Sequence, residues 1–174
     1  MVPWHPALVH FALALVPVGL MLDLVAWAAG RPRWHNSAHA LLVLATLGAI
    51  AAVLSGNVAA APWRGEEGLL PLIERHEDLA TAALLLLLAT SLGRLPLYLR
   101  SFRPGSAPGW SLKLWVVVAG LACGLLWQAG RTGGELVYRH GVGVQLEDRG
   151  ATPAGPVRAP SGAPTGDTRP LPDL

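Results

Sequence analysis

WHPALVHFALALVPVGLMLDLVAWAAG, residues 4–30, is the stretch of sequence that decides the fold. It begins with two histidines, His5 and His10, and then runs apolar to Gly30 with Asp23 as its interruption. A helix of about 20 apolar residues, rising about 1.5 Å per residue, spans the hydrocarbon core of a bilayer. The run is longer than the core of a signal peptide and lacks its positively charged start. It therefore predicts a membrane-spanning helix over 6–29 that carries imidazoles where it enters the bilayer.

The composition supports a membrane protein and excludes several other classes. Of the 174 residues, 52% are hydrophobic and 14% are charged, which favours an integral membrane protein over a soluble domain. The formal net charge of +2, without a basic and aromatic surface, argues against nucleic acid as a partner. The single cysteine, Cys123, cannot form an internal disulfide, a CxxCH haem attachment or a paired-cysteine zinc site.

Three further apolar runs predict helices over 37–61, from about 74 to 94–100, and over 110–130. The short segment LLPLI, residues 69–73, is expected to lie in a loop that dips into the membrane interface. Gly133 and Gly134 are expected to break the backbone, so that 135–140 forms a short strand or helical turn on the membrane surface. No internal repeat is evident.

The composition changes at residue 145, after which Pro, Gly, Ala and Thr dominate and no core can form. The sequence therefore predicts an all-α protein in two parts. A four-helix transmembrane bundle occupies residues 1–144, and a Pro/Gly-rich disordered tail occupies residues 145–174.

The distribution of basic residues predicts the orientation in the membrane. The loops after the first and third helices carry six basic residues, Arg31, Arg33, Arg94, Arg100, Arg103 and Lys113. The opposite side carries four, Arg64, Arg75, Arg131 and Arg139. Because cytoplasmic loops are enriched in Lys and Arg, both termini are expected outside the cytoplasm. Asp23 is expected to have a structural role, paired with His39 or with a cytoplasmic arginine.

Four of the six histidines fall at the predicted extracytoplasmic face once the four spans alternate in direction: His5, His10, His76 and His140. Polar groups at the depth of His10 and His76 need partners. Two imidazoles on facing helices are the usual means by which a helical bundle holds a b-type haem. We therefore expect haem b with His10 and His76 as the axial pair, and His140 and His5 as a second pair or as substitutes. This pairing requires His10 and His76 to face one pocket.

Two alternatives to haem remain open from the residues alone. The same four histidines are candidates to hold a Zn, Cu or Fe ion, because neutral imidazole suits all three metals. A cofactor-free structural subunit of a larger complex, with its histidines merely hydrated at the interface, is the other alternative. Glu77 and Glu135 are candidates to orient a ligating imidazole through its second ring nitrogen.

Other candidate sites are weaker. The sequence contains no P-loop, HExxH, GxSxG or Gly-rich dinucleotide motif, so no catalytic residue is predicted. An electron-transfer or accessory subunit is therefore favoured over a stand-alone enzyme. His35 and His39, at the opposite face, are expected to be solvated in a loop or at a helix start.

Two end motifs resemble those of a known family. HPALVHFALAL at 5–15, His76 before the third span, and GGELVYRHGVGV at 133–144 are similar to motifs of the DUF2231 family of bacterial membrane proteins. The resemblance covers about residues 3–144. Ala12 stands where the family commonly has proline, and Ser55–Asn57 replace a frequent TG-and-acid pattern, so no role is carried over for that acid.

The resemblance implies a function in electron transfer. The histidine positions of the family are matched by His5, His10, His76 and His140. Members accompany or are fused to cytochrome c-type domains, which implies a place in the bacterial inner (cytoplasmic) membrane. It also implies cytochrome c-type proteins, or a larger respiratory or photosynthetic electron-transfer complex, as partners. The resemblance does not fix which metal or cofactor is held.

Overall fold

The computed structural model describes residues 4–66, 68–102 and 109–144, and this part of the chain is helical. It contains four long helices and one short 3-10 turn, Ala61–Trp63. The long helices are α1 (His5–Ala28), α2 (Trp34–Ala60), α3 (Leu70–Arg100) and α4 (Trp110–His140). All four are long and apolar enough to cross a membrane. The predicted all-α fold with four spans is confirmed, and the tail predicted over 145–174 lies outside the described residues.

The helices form an antiparallel bundle in which α1 packs on α2 and α4, and α3 packs on α2 and α4. Consequently α1 and α3 run in the same direction and lie diagonally across the bundle. The starts of α1 and α3 share one end with the ends of α2 and α4. Residues far apart in sequence, such as those that begin α1 and α3, are thereby brought to the same end.

Small side chains fill the interior. The core is a cluster of eight buried residues: Ala12, Val16, Leu42, Ala45, Ala49, Leu87, Ala119 and Ala122. A Cβ atom added to Gly19 would lie 3.3 Å from the carbonyl oxygen of Ala38, so α1 and α2 approach closely. In lipid, helix association depends on such packing because lipid tails are as apolar as the side chains.

The third helix begins earlier than predicted. The segment LLPLI was expected in a loop, but α3 starts at Leu70, with Pro71 in its first turn. Proline is tolerated there because its missing N–H group would have no partner within the helix. Leu69 and Ile73 are buried with Leu136 of α4, and this packing explains why the segment folds as helix.

The fourth helix extends ten residues beyond the predicted end, to His140. The prediction of a break at Gly133 and Gly134, with a strand or turn on the membrane surface, is wrong. A glycine inside a helix is unfavourable by about 1 kcal/mol relative to alanine, but tertiary packing overrides this preference. Thr132 and Leu136 are buried in the bundle. The helix ends at Gly141, whose φ of 66° is a left-handed conformation that favours glycine.

Candidate cofactor-binding site

Two histidines, His5 and His76, lie at the end of the bundle where α1 and α3 begin. His5 is the first residue of α1, and His76 lies in the second turn of α3. Both side chains are half-buried. We call this end of the bundle the imidazole end. It combines one ring from each of two diagonally opposed helices.

A triangle of hydrogen bonds holds the ring of His5 against α2. Its Nδ1–H donates to the carbonyl oxygen of Ala52 at 3.0 Å and to Oγ of Ser55 at 3.1 Å. The Ser55 hydroxyl in turn donates to the same Ala52 carbonyl at 3.0 Å. Because this hydroxyl uses its own proton on Ala52, it meets the imidazole as an acceptor. The orientation of the ring is therefore set by two oxygen atoms.

The ring of His76 is held against α4 by the same arrangement. Its Nδ1–H donates to the carbonyl oxygen of Ala129 at 3.0 Å and to Oγ1 of Thr132 at 3.2 Å. The Thr132 hydroxyl donates to the Ala129 carbonyl at 3.0 Å. The α1–α2 hairpin and the α3–α4 hairpin thus each contribute one histidine, one carbonyl and one hydroxyl in equivalent roles.

A glycine lies beneath each ring. A Cβ atom added to Gly56 would lie 3.0 Å from Cε1 of His5, and one added to Gly133 would lie 3.0 Å from Cε1 of His76. These glycines belong to a repeated pattern, A-x-x-S-G at 52–56 and A-x-x-T-G at 129–133. Sequence reasoning missed the role of both segments, although the repetition at equivalent helix ends was a signal that could have found it.

The hydrogen bonds fix the tautomer of both rings. A carbonyl oxygen only accepts hydrogen bonds, so Nδ1 of each ring must carry a proton. In the neutral imidazole, Nε2 then carries a lone pair. Metal-ligating histidines have this arrangement, with one ring nitrogen bonded to a carbonyl or carboxylate and the other free for the metal. Each of the two rings therefore presents one nitrogen atom with the chemistry of a metal ligand.

His10 and His140 are placed differently from His5 and His76. Both are exposed, and Nδ1–H of His10 donates to the carbonyl oxygen of Pro6 in its own helix at 2.6 Å. Five residues along a helix turn the side-chain direction by about 140°, so His10 does not share the direction of His5. The geometry thus supports His5, rather than His10, as the partner of His76. The ligand role of His10 and His140 stays a prediction.

The predicted orienting carboxylates have other partners. Glu77 accepts a hydrogen bond from Nη2 of Arg64 at 2.7 Å, and Glu135 accepts one from Nη1 of Arg139 at 2.8 Å. The atoms that orient His76 are instead a carbonyl and a hydroxyl. Within 4–66, 68–102 and 109–144, no group of three or more His, Cys, Asp or Glu side chains is arranged to hold a metal ion.

The opposite end of the bundle contains a buried ion pair, and we call it the ion-pair end. Arg94 donates from Nη1 to Oδ2 of Asp23 at 2.6 Å and from Nη2 to Oδ1 at 2.9 Å. Nδ1–H of His35 also donates to Oδ1 of Asp23, at 2.8 Å, and Nη2 of Arg94 bonds the His35 carbonyl. Asp23 is 0% exposed and Arg94 2%. The pairing of Asp23 with a basic residue is confirmed, and the pair ties α1, α2 and α3 together.

His35 and His39 lie in the first two turns of α2, which begins at Trp34 rather than at the predicted residue 37, and the prediction that they are solvated is wrong. Both are buried, at 6% and 3% exposure. The ring of His39 packs against Tyr98, with centroids 5.1 Å apart, and its Nδ1 has no hydrogen-bond partner among the described residues. Asp23 and Arg94 create a polar interior at this end. Because they are separated from His35 in sequence, the cluster was not predicted from the sequence.

The burial of Arg94 also changes the charge argument for orientation. Without it, the described part of the chain has four exposed basic residues at each end of the bundle. Those at the imidazole end are Arg64, Arg75, Arg131 and Arg139, and those at the ion-pair end are Arg31, Arg33, Arg100 and Lys113. Arg103, counted in the prediction, lies outside the described residues. The two ends now differ in their acidic residues, which carry little weight for orientation.

Fold and site together define a helical membrane protein with four spans and a pair of oriented histidines at one end of the bundle. The family model described as "Predicted membrane protein (DUF2231)" matches residues 1–146. The chain belongs to this family, as its end motifs suggested. No curated protein and no solved structure matches the chain.

Proposed function

We propose that the protein is a membrane electron carrier that binds one b-type haem between His5 and His76. The observation that carries the proposal is the duplicated hydrogen-bonded imidazole, in which each Nδ1–H donates to a carbonyl and each Nε2 keeps its lone pair. Two such rings, on helices that lie diagonally across a bundle, are the donor set of a bis-imidazole haem. Bound haem would supply a one-electron Fe(III)/Fe(II) couple.

The surrounding residues have defined tasks in this proposal. Ser55 and Thr132 fix the ring orientations, which raises the fraction of rings that present Nε2 to the iron. Gly56 and Gly133 leave room for each imidazole to approach the neighbouring helix. Because the two rings are half-buried near one end of the bundle, electrons would be exchanged at that membrane surface. A cytochrome c-type protein or a larger electron-transfer complex is the proposed partner.

We also propose that the imidazole end faces outward from the bacterial cytoplasmic membrane. The support is the six-to-four distribution of Lys and Arg in the sequence and the family resemblance to cytochrome c-associated proteins. Single cysteines introduced at Gly65 and at Arg31, in a Cys123→Ser background, test this by labelling in intact cells with an impermeant maleimide. Labelling at residue 65 alone is expected, and labelling at residue 31 alone reverses the orientation.

The haem proposal is tested by the absorption spectrum of detergent-purified protein from haem-replete cells, oxidised and reduced, and by titration of the apoprotein with hemin. We expect a Soret band, one porphyrin per chain, and loss of most bound haem in His5→Ala and in His76→Ala. His10→Ala distinguishes the two pairings, since it should retain haem if His5 is the ligand. Absence of hemin binding, or full binding by the His5→Ala/His76→Ala double variant, overturns the proposal. A stoichiometric metal ion without porphyrin would favour the metal-ion alternative.

A further inference from the structure

The two rings of the imidazole end are held alike but covered differently. An apolar cluster near His76 has three buried residues, Leu69, Ile73 and Leu136. Ile73 lies three residues before His76 in α3, and Leu136 lies four residues after Thr132 in α4. Because α3 begins and α4 ends at this end of the bundle, both positions are about one helical turn further out than the ring. The cluster therefore lies between the ring of His76 and the end of the bundle.

Four partly buried side chains complete this cluster, which we call the apolar lid. They come from the end of α2, the 3-10 turn after it, α3 and the residues after α4: Ala60, Trp63, Leu72 and Val142. Among the described residues, α1, which carries His5, contributes no side chain to the lid. The lid thus covers the His76 side of the site and does not extend over the His5 side.

The duplicated pattern allows the two sides to be compared position by position. Leu136 lies four residues after Thr132, and the equivalent residue, four after Ser55, is Ala59. Leu136 is 6% exposed, whereas Ala59 is half-buried and has a much smaller side chain. The neighbouring Val58 is 62% exposed. The ring of His5 consequently lacks the large buried side chain that covers the ring of His76.

An ion pair ties the turn that carries Trp63 to the helix that carries His76. Nη2 of Arg64 donates to Oε1 of Glu77 at 2.7 Å, between positions 13 residues apart in the chain. Arg64 directly follows Trp63, and Glu77 directly follows His76. The pair therefore fastens the edge of the lid beside the ring. Its side chains are 50% and 25% exposed, so water and salt reach it.

We propose that the apolar lid, held closed by Arg64 and Glu77, shields His76, and that ligands reach the site from the His5 side. An ion pair of this exposure contributes little, so it tunes how often the lid opens, whereas the buried apolar side chains keep it closed. The inference rests on the proposed function for the identity of the ligand that enters. The shielding of the ring is a property of the apoprotein and can be measured without that ligand.

The experiment measures how fast each imidazole of the full-length apoprotein, in neutral detergent, reacts with diethyl pyrocarbonate, which modifies unprotonated ring nitrogen atoms. Peptide mass spectrometry separates the two rings. We expect His76 to react about tenfold more slowly than His5, the factor that corresponds to the burial of one leucine side chain. The His5 rate is the internal reference, because a general loosening of the bundle would accelerate both reactions. A His76 rate equal to or above the His5 rate overturns the proposal.

A variant of the lid tests whether its apolar side chains cause the shielding. Leu136→Ala gives α4 the residue that α2 has at the equivalent position. The ratio of the His76 rate to the His5 rate should rise by about tenfold. An unchanged ratio overturns the proposal. If the reactivities are as expected but hemin does not bind, the haem function is overturned and the lid is not.

A variant of the ion pair tests whether it holds the lid closed. Arg64→Gln should raise the same ratio about two- to fivefold, and about 0.5 M NaCl should have a similar effect on the unaltered protein because salt screens exposed charges. Arg139→Gln is the matched control, since its ion pair with Glu135 lies within α4 and joins no two segments. It should leave the ratio unchanged. Equal effects of Arg64→Gln and Arg139→Gln overturn the proposal.

Discussion

Each end of the bundle contains a pair of histidines, from α1 and α3 at the imidazole end and from α2 alone at the ion-pair end, and the partners of the imidazoles differ. At the imidazole end, each ring is held at Nδ1 and keeps Nε2 for another partner. At the ion-pair end, His35 donates to a carboxylate that Arg94 already neutralises in two places. The imidazoles at one end thus contact uncharged oxygen atoms, whereas the charges at the other end join three helices.

The two ends also differ in how deeply their polar side chains are buried. The ion pair is buried almost completely, and removal of one partner would leave a charge without compensation. The imidazoles are half-buried and contact carbonyl and hydroxyl groups, so their removal leaves only neutral oxygen atoms unpaired. Stability should therefore respond mainly to changes at the ion-pair end, and ligand binding to changes at the imidazole end.

The largest loss of stability is expected from breaking the ion pair. Arg94→Gln should lower the free energy of unfolding by about 3 to 5 kcal/mol, because it leaves Asp23 as an uncompensated buried charge. The measurement is a denaturant titration in mixed micelles, followed by tryptophan fluorescence. Asp23→Asn/Arg94→Gln removes both charges and should recover most of the loss. A double variant as unstable as the single one would show that charge compensation is not the cause.

The next effect concerns packing beside the ion pair. Gly93, which precedes Arg94, lies against the indole of Trp115, and an added Cβ atom would overlap Cζ2 of that ring. Gly93→Ala should therefore destabilise the protein by about 1 to 3 kcal/mol through overpacking. Gly124→Ala is the matched control, because nothing lies within 4 Å of its added Cβ atom. Similar melting temperatures for these two variants would contradict the close contact between α3 and α4.

The sequence was sufficient for the fold but not for the lengths of two helices. Four long apolar runs predict helices, because in lipid a helix forms the hydrogen bonds of its backbone within itself. Helix ends depend on tertiary contacts instead. The continuation of α4 through Gly133 and Gly134 follows from burial of Thr132 and Leu136 in the bundle. Local helix propensity does not predict this burial.

The sites were predictable to different degrees. Alternation of the spans was enough to bring His5 and His76 to one end, but the side-chain directions depend on helix rotation, which the sequence leaves open. The choice between His5 and His10 therefore required the hydrogen bonds to Ala52 and Ser55. At the opposite end, burial of His35 depends on Arg94, which lies 59 residues away along the chain.

A smaller effect is expected at the imidazole end when the space beneath the rings is filled. Gly56→Ala and Gly133→Ala each add a methyl group 3.0 Å from an imidazole Cε1, so the ring must shift by a few tenths of an ångström. We expect a loss of stability of about 1 kcal/mol but a clear change in the ¹⁵N NMR signals of His5 or His76. Gly120→Ala adds its methyl group in open space and should change neither signal. Unchanged histidine signals in all three variants would mean that the glycines do not position the rings.

The smallest effect is expected from the hydroxyls of Ser55 and Thr132. It tests whether such a hydroxyl is energetically coupled to the imidazole that it contacts. Thr132→Val removes one oxygen from Nδ1 of His76 while the carbonyl of Ala129 remains, so the tautomer should be kept. A double-mutant cycle of Thr132→Val with His76→Ala should give a coupling energy of about 0.6 kcal/mol, the size typical of side-chain hydrogen bonds in membrane proteins. Thr90→Val is the matched control, since its hydroxyl bonds only Leu86 of its own helix and should show no coupling to His76. If Thr132 and Thr90 couple equally to His76, the Thr132 hydroxyl bonds only the backbone of its own helix. It then does not orient the imidazole of His76.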